Sequence, residues 1–215
     1  MADTITQGET MNRLIHRAVR RDLGRFADAV QRFTPSDHAR ASGLAKAFGH
    51  FDTMLTHHHE GEERNIWPVI GDPDAGHVDD VAGLTTEHGR IVAGLAASRD
   101  AFGRLGTSAS AADAAAASAG LAQLREAAEI HFEHEEAEMR GLCQAADPTA
   151  LGAAFKKMGR DASPAEGMWF IQWVADGLSG QDAAALNGTI PAPVRLISRL
   201  VAGRRYARVQ RAAWS

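Results

Sequence analysis

Four long stretches of this chain repeat their apolar residues every three or four positions, and each interrupts that apolar stripe with a histidine. Such spacing predicts amphipathic helices, because residues three and four apart share one helix face. The first stretch runs from about Thr10 to Phe33 and stops before Pro35. The second starts at the cap signal Pro35-Ser36-Asp37, continues to Ile70, and is closed by the turn sequence GDPDAG at 71–76. The third spans about His77 to Phe102. A connector, GTSASAADAAAAS, comes next; its Ala-rich part already belongs to a fourth helix that ends near Ala146, before Asp147-Pro148. Four long helices with short joints predict an all-α fold, an up-down-up-down four-helix bundle.

The stripes show which polar residues face inward. The first reads His16, Val19, Leu23, Phe26, Val30, Phe33. In the second, the series Leu44, Phe48, Phe51, Leu55 continues through His58 and Glu62 before reaching Ile66 and Val69. His59 and Glu63 share that four-residue spacing but lie over Thr56 and Asp52, which points them to water; His57 and Glu60 also fall off the stripe. The third reads Val81, Leu84, His88, Ile91, Leu95, and the fourth Leu121, Leu124, Ala128, His131, Glu135, Met139, Leu142.

An unpaired buried carboxylate is unfavourable by several kcal/mol, and two side by side are worse. One inward histidine is ordinary core furniture, but four imidazoles and two carboxylates on facing stripes would leave the core unsatisfied without a cation. They also meet at one level. His58 and Glu62 lie on the second helix, and His88 on the third, at similar distances from the joining turn, roughly 12–18 Å at ~1.5 Å per residue. Six such donors exceed one ordinary site and suit two metals bridged by the carboxylates. Nitrogen and oxygen donors without a thiolate favour iron, with manganese and zinc taking the same set, and disfavour an iron–sulfur centre.

His16, the H-x-x-x-E at 58–62 followed by Ile-Trp-Pro, Glu87-His88, and HFEHEE at 131–136 together resemble the hemerythrin-like, HHE cation-binding family, over roughly residues 10–145. The resemblance implies a four-helix bundle around a non-haem di-iron centre with an oxo- or hydroxo-type bridge. Its ligands would be His16, His58, Glu62, His88, His131 and Glu135. One departure stands out. The oxygen-carrying members place two histidines one turn apart on the third helix, and here the position before His88 is Leu84. A symmetrical arrangement results, with His16 and His58 on one metal, His88 and His131 on the other, and Glu62 and Glu135 bridging. His134, His59 or Glu87 could supply a further donor. The function implied is binding or sensing of oxygen, nitric oxide, iron or a related redox ligand. The alternative is an enzyme that decomposes peroxide or reduces oxygen.

Residues 1–147 form this bundle, and 148–215 a helical extension. DPTALGAAFKKMG and SPAEGMWFIQWVADGL read as two shorter helices, and the hinge LNGTIPAP leads into VRLISRLVAGRRYARVQRAAW. Trp169, Phe170 and Trp173 are expected to pack on the first and fourth bundle helices. From Asn187 onward there are six arginines and no acidic residue, in a segment that starts amphipathic. Basic helices of this type can bind anionic membranes or partner proteins, but more often such a tail packs on its own bundle or on a second copy; that packing is expected here, without stable membrane insertion. A net charge of −4 gives no reason to expect nucleic acid. The single cysteine, Cys143, excludes an internal disulfide framework and, with no signal-like N-terminal stretch, leads us to expect a cytoplasmic protein. Tyr206 is the only tyrosine, so the bundle stripes offer none as a redox relay.

Overall fold

In a computed structural model of the chain, residues 2–71 and 78–214 are described; the turn expected at 71–76 and the start of the third bundle helix at His77 fall largely outside them. The bundle is built from α1 (Ala2–Gln31), α2 (His38–Gly61), α4 (Val78–Ser108) and α5 (Ala111–Ala145), with a short α3 (Trp67–Ile70) after α2. Among the described residues there is no strand. α4 packs along α5 and α2, and α1 along α5. No described helix is long and apolar enough to cross a membrane.

Local chemistry explains the helix starts. Asp37 caps α2, its carboxylate accepting from the Arg40 amide at 2.9 Å. Ser110 caps α5 in the same way, accepting from the Asp113 amide at 3.1 Å, so the joint between α4 and α5 shrinks to two residues and the Ala-rich run is helical as expected. Each such cap satisfies an amide that the first turn would otherwise leave without a partner.

The second segment departs from the expected continuous helix. Its α-helical part ends at Gly61, and Glu62–Ile66 forms a π-helical turn closed by the Trp67 amide donating to the Glu62 carbonyl five residues back. The Asn65 side chain donates to the Gly61 carbonyl at 3.0 Å and to Asp161 at 2.9 Å, taking up groups that the widened turn leaves over. The extra residue in the turn rotates the helix beyond it, so Ile66, Trp67 and Ile70 are buried while Val69 is only half-buried.

The extension comprises α6 (Pro148–Met158), α7 (Pro164–Ala175), α8 (Gly180–Thr189), α9 (Ala192–Val201) and α10 (Gly203–Trp214). It packs on α1, as expected, but its second support is α2 rather than the fourth bundle helix, which is met chiefly by α6. The reason is polar as much as apolar. Asp22 on α1 is buried, accepts from the Trp173 indole at 2.8 Å and pairs with Arg21 at 2.8 Å. Arg21 in turn donates to the Trp173 and Asp176 carbonyls, and Arg25 and the Tyr206 hydroxyl both donate to the Asp176 carboxylate. Trp169 stacks on His50 of α2, with ring centroids 3.9 Å apart. At Gly43, α10 lies so close that a Cβ would collide with the Ala212 carbonyl. Trp169, Trp173, Leu186, Tyr206 and Val209 thereby join the bundle's own apolar core.

That core is not continuous along the bundle. A larger cluster contains Phe26, Phe48, Phe51, Phe102, Leu124 and Phe132. A smaller one, at the α3 and α6 end, contains Ile66, Trp67, Leu84, Met139, Leu142 and Leu151.

Candidate metal centre

The polar residues of the four stripes converge in the bundle interior. His16 comes from α1, His58 and His59 from the last turn of α2, Glu62 from the first position of the π-helical turn, His88 from α4, and His131 and Glu135 from α5. All seven are buried. His16 Nε2 lies 3.3 Å from His58 Nε2 and 3.0 Å from Glu135 Oε2. His88 Nε2 lies 3.1 Å from His131 Nε2. The two carboxylates reach across both pairs. Glu62 directs Oε1 to His58 Nε2 at 3.4 Å and Oε2 to His88 Nε2 at 3.7 Å. Glu135 Oε2 is 3.7 Å from His131 Nε2 as well as 3.0 Å from His16. With donor–metal bonds of ~2.1 Å, two neighbouring ligands of one ion stand roughly 3–4 Å apart, the spacing found here.

His59 corrects the sequence reading. The stripe assigned it to water, yet it is 3% exposed. Its ring stacks on His88 at 4.1 Å between centroids and meets His131 edge-on at 5.3 Å. His59, Glu62, His88 and His131 form one group whose ligand atoms lie within 4.8 Å of one another, and His16, His58 and Glu135 form another. The signal was available: from Leu55, steps of four, three and four pass through 59 and 62 to 66, as validly as steps through 58. Asp52, on the same face, is not solvated either but receives two hydrogen bonds from Arg99, at 2.6 and 2.9 Å. His57 and Glu60 are exposed, as the stripe predicts.

Behind the convergent nitrogens stands a ring of carboxylates. The Nδ1 atoms of His16, His88 and His131 face Glu136 at 2.9 Å, Glu63 at 2.8 Å and Glu87 at 3.2 Å. Such contacts fix each ring with Nδ1 protonated and Nε2 free to bind. Glu87 also holds His134 at 2.9 Å, so neither of these two joins the inner group. Arg20 anchors Glu136 at 2.7 Å, and Phe132 stacks on the His16 ring at 3.9 Å.

Several polar atoms of the cluster lack partners. Both nitrogens of His59, His58 Nδ1, Glu62 Oε2 and Glu135 Oε1 are buried without a hydrogen bond. Buried polar atoms of native proteins are nearly all satisfied, and a bound cation would satisfy a cluster of this composition. Electrostatics agree. Burial and the neighbouring imidazoles push the pKa values of His58 and His59 well down, and burial lowers that of His131 to about 4, leaving neutral rings with available lone pairs. Burial likewise opposes a charge on His16, but the hydrogen bonds and charges of Glu135 and Glu136 outweigh it and raise its pKa. Burial and the nearby Glu135 push the Glu62 carboxyl well above its usual range. Two carboxylates this close remain ionised together only beside positive charge, and a metal site fits that requirement.

The family profile described as Hemerythrin HHE cation binding domain matches residues 11–143. No curated protein and no solved structure matches the chain.

Proposed function

The chain belongs to the hemerythrin HHE cation-binding family, and from that premise we propose that it carries a pair of non-haem iron ions and uses them to bind or sense a small redox ligand. His16 and His58 would hold one ion, His59, His88 and His131 the other, with Glu62 and Glu135 shared between them. When bound, such a pair supplies reversible ligand binding and electron exchange with molecules such as dioxygen, nitric oxide or peroxide.

The observation that carries this reading is the inequality of the two donor sets. Glu62 divides its oxygens between His58 and His88, so it serves both positions. His59 adds a third imidazole to one side only. The His16–His58 position has one nitrogen donor fewer and is therefore the one with room for an outside ligand. The Phe132 ring, stacked on His16, places hydrocarbon against that ligand's ring. Glu136, Glu63 and Glu87 hold the rings of His16, His88 and His131 in place, so the donor set is organised before a metal enters. The fifth imidazole also fills a position that the symmetrical four-histidine arrangement would leave open to a second outside ligand, which favours binding over turnover.

The test is metal content per chain, with the near-ultraviolet and visible spectrum recorded before and after hydrogen peroxide. Two irons with charge-transfer bands of a bridged pair, and a stable new band without turnover, are expected. Rapid oxygen evolution would move the assignment to the enzyme. Absence of iron, or a single zinc, would overturn the di-iron reading.

A further inference from the structure

α9 is turned inside out. The one fully buried residue among its ten is polar: Ser198, whose hydroxyl donates to the Met168 carbonyl at 3.0 Å and accepts from the Gln172 side chain at 2.7 Å. Its apolar residues face water instead. Leu196, Ile197, Leu200 and Val201 are 59%, 50%, 73% and 66% exposed, and they account for four of the six large hydrophobic residues exposed in the described chain. The two hydrogen bonds at Ser198 tie the helix to α7 in this orientation, so the exposure is built into the packing rather than left over from it.

Arginines frame the ridge. Arg199, Arg204, Arg208 and Arg211 are exposed beside it, lining with Leu196 and Leu200 the groove between α9 and α10. None of these four makes an ion pair among the described residues, and no acidic residue occurs from Asn187 to the end of the sequence. The whole chain nevertheless carries a formal charge of −4, so the rest of the protein is acidic and this corner stands out as its basic foot.

We propose that the α9–α10 corner docks the protein reversibly on an anionic lipid surface, with the four aliphatic side chains of α9 entering the headgroup region and the arginines of α10 meeting lipid phosphates. Aliphatic residues flanked by arginines are what such a surface selects, each arginine reaching to a phosphate while its stem lies along the acyl boundary. The acidic remainder of the protein is repelled by the same surface, which orients the molecule foot first. Other occupants match less of the ridge. An acidic peptide lying in the groove would cover Leu196 and Leu200 and leave Ile197 and Val201 in water. A two-fold pairing of this corner with its copy would set arginines against arginines. A nucleic acid would satisfy the arginines and leave the aliphatic ridge unused.

This inference is independent of what the metal centre binds. Its test is co-sedimentation of the full-length, metal-loaded protein with vesicles of equimolar phosphatidylglycerol and phosphatidylcholine, and with vesicles of phosphatidylcholine alone. Binding to the anionic vesicles only is expected, weakening strongly at about 0.5 M salt. The doubly substituted Leu200→Gln/Val201→Gln and Arg204→Gln/Arg208→Gln proteins, altered only at exposed positions, should each lose at least about tenfold in vesicle affinity while keeping wild-type metal content and helicity. Failure to sediment with anionic vesicles, or binding that neither variant weakens, would overturn the proposal. So would sedimentation velocity showing a dimer that Leu200→Gln/Val201→Gln dissociates, because the ridge would then belong to a second copy.

Discussion

Replacing Glu62 by leucine should make the metal-free protein more stable and the metal-loaded protein less stable. Without a cation, Glu62 is buried, pushed towards its neutral form, and leaves Oε2 without a partner. An unsatisfied buried polar group is unfavourable by about 1–3 kcal/mol, and exchanging it for a hydrocarbon of similar volume removes that term. In a chain of 215 residues, one kcal/mol moves the melting midpoint by roughly 2–4 °C, so Glu62→Leu should melt roughly 2–12 °C above wild type in excess chelator. With iron the order reverses. A ligand at a hundred times its Kd stabilises the folded state by about 2.7 kcal/mol, and the variant lacks the carboxylate oxygens that face both His58 and His88. Thermal unfolding followed by circular dichroism, with chelator and then with iron, reads both halves. A Glu62→Leu protein that melts below wild type in chelator would refute the reasoning, because Glu62 would then be held by protein contacts and not be waiting for a cation.

His59→Ala should weaken binding of one of the two ions by roughly 10–100-fold, seen by competition with a chromophoric chelator, whereas His57→Ala on the exposed neighbouring position should change nothing; equal effects would return His59 to a packing role. Gly43→Ala forces a methyl group against the Ala212 carbonyl and should destabilise by about 1–3 kcal/mol, with trypsin cutting the Arg-rich α10 sooner than in wild type. Burial favours the neutral form of Asp176, but the Arg25 hydrogen bond and the charges of Arg21 and Arg25 outweigh it and hold the carboxyl below its ordinary 3.8. Its contribution is therefore fully present above that value and lost as pH falls through the lower folded value. Asp176→Asn should be less stable than wild type in urea at pH 6, and the gap should close as the pH drops well below 4; a gap constant with pH would contradict the ion-pair origin.

Much of this was legible in the sequence. The four inward stripes located His16, His58, Glu62, His88, His131 and Glu135, because a helical period converts spacing into direction, and the structure brings all six together. His59 was missed because a helix end that alternates steps of three and four leaves two adjacent positions equally able to face inward. The π-helical turn that begins at Glu62 was missed for a different reason. Its sequence, EERNI, is ordinary helix former, and the widened turn is sustained by Asn65 bonding Asp161, a partner nearly a hundred positions away. The amphipathic character of α9 was visible, but not which way it faces. Amphipathicity says that a helix has two faces, and here a buried serine bonded to Met168 and Gln172 turns the hydrophobic one outward.

The division of the apolar core into two clusters has a consequence for how the molecule comes apart. Side chains transmit cooperativity by close packing, and a polar layer of imidazoles and carboxylates with unsatisfied atoms transmits it poorly. Metal-free, the end built from Ile66, Trp67, Leu84, Met139, Leu142 and Leu151 should open as a unit of its own, its amides in α3 and α6 exchanging with deuterium through a smaller opening than those around Phe48 and Phe102. On the proposed reading, two ions gripped from both sides would weld the compartments, and the separate openings should merge into one. The proposed metal centre would then also be the rivet that makes a two-storey core unfold as a single body.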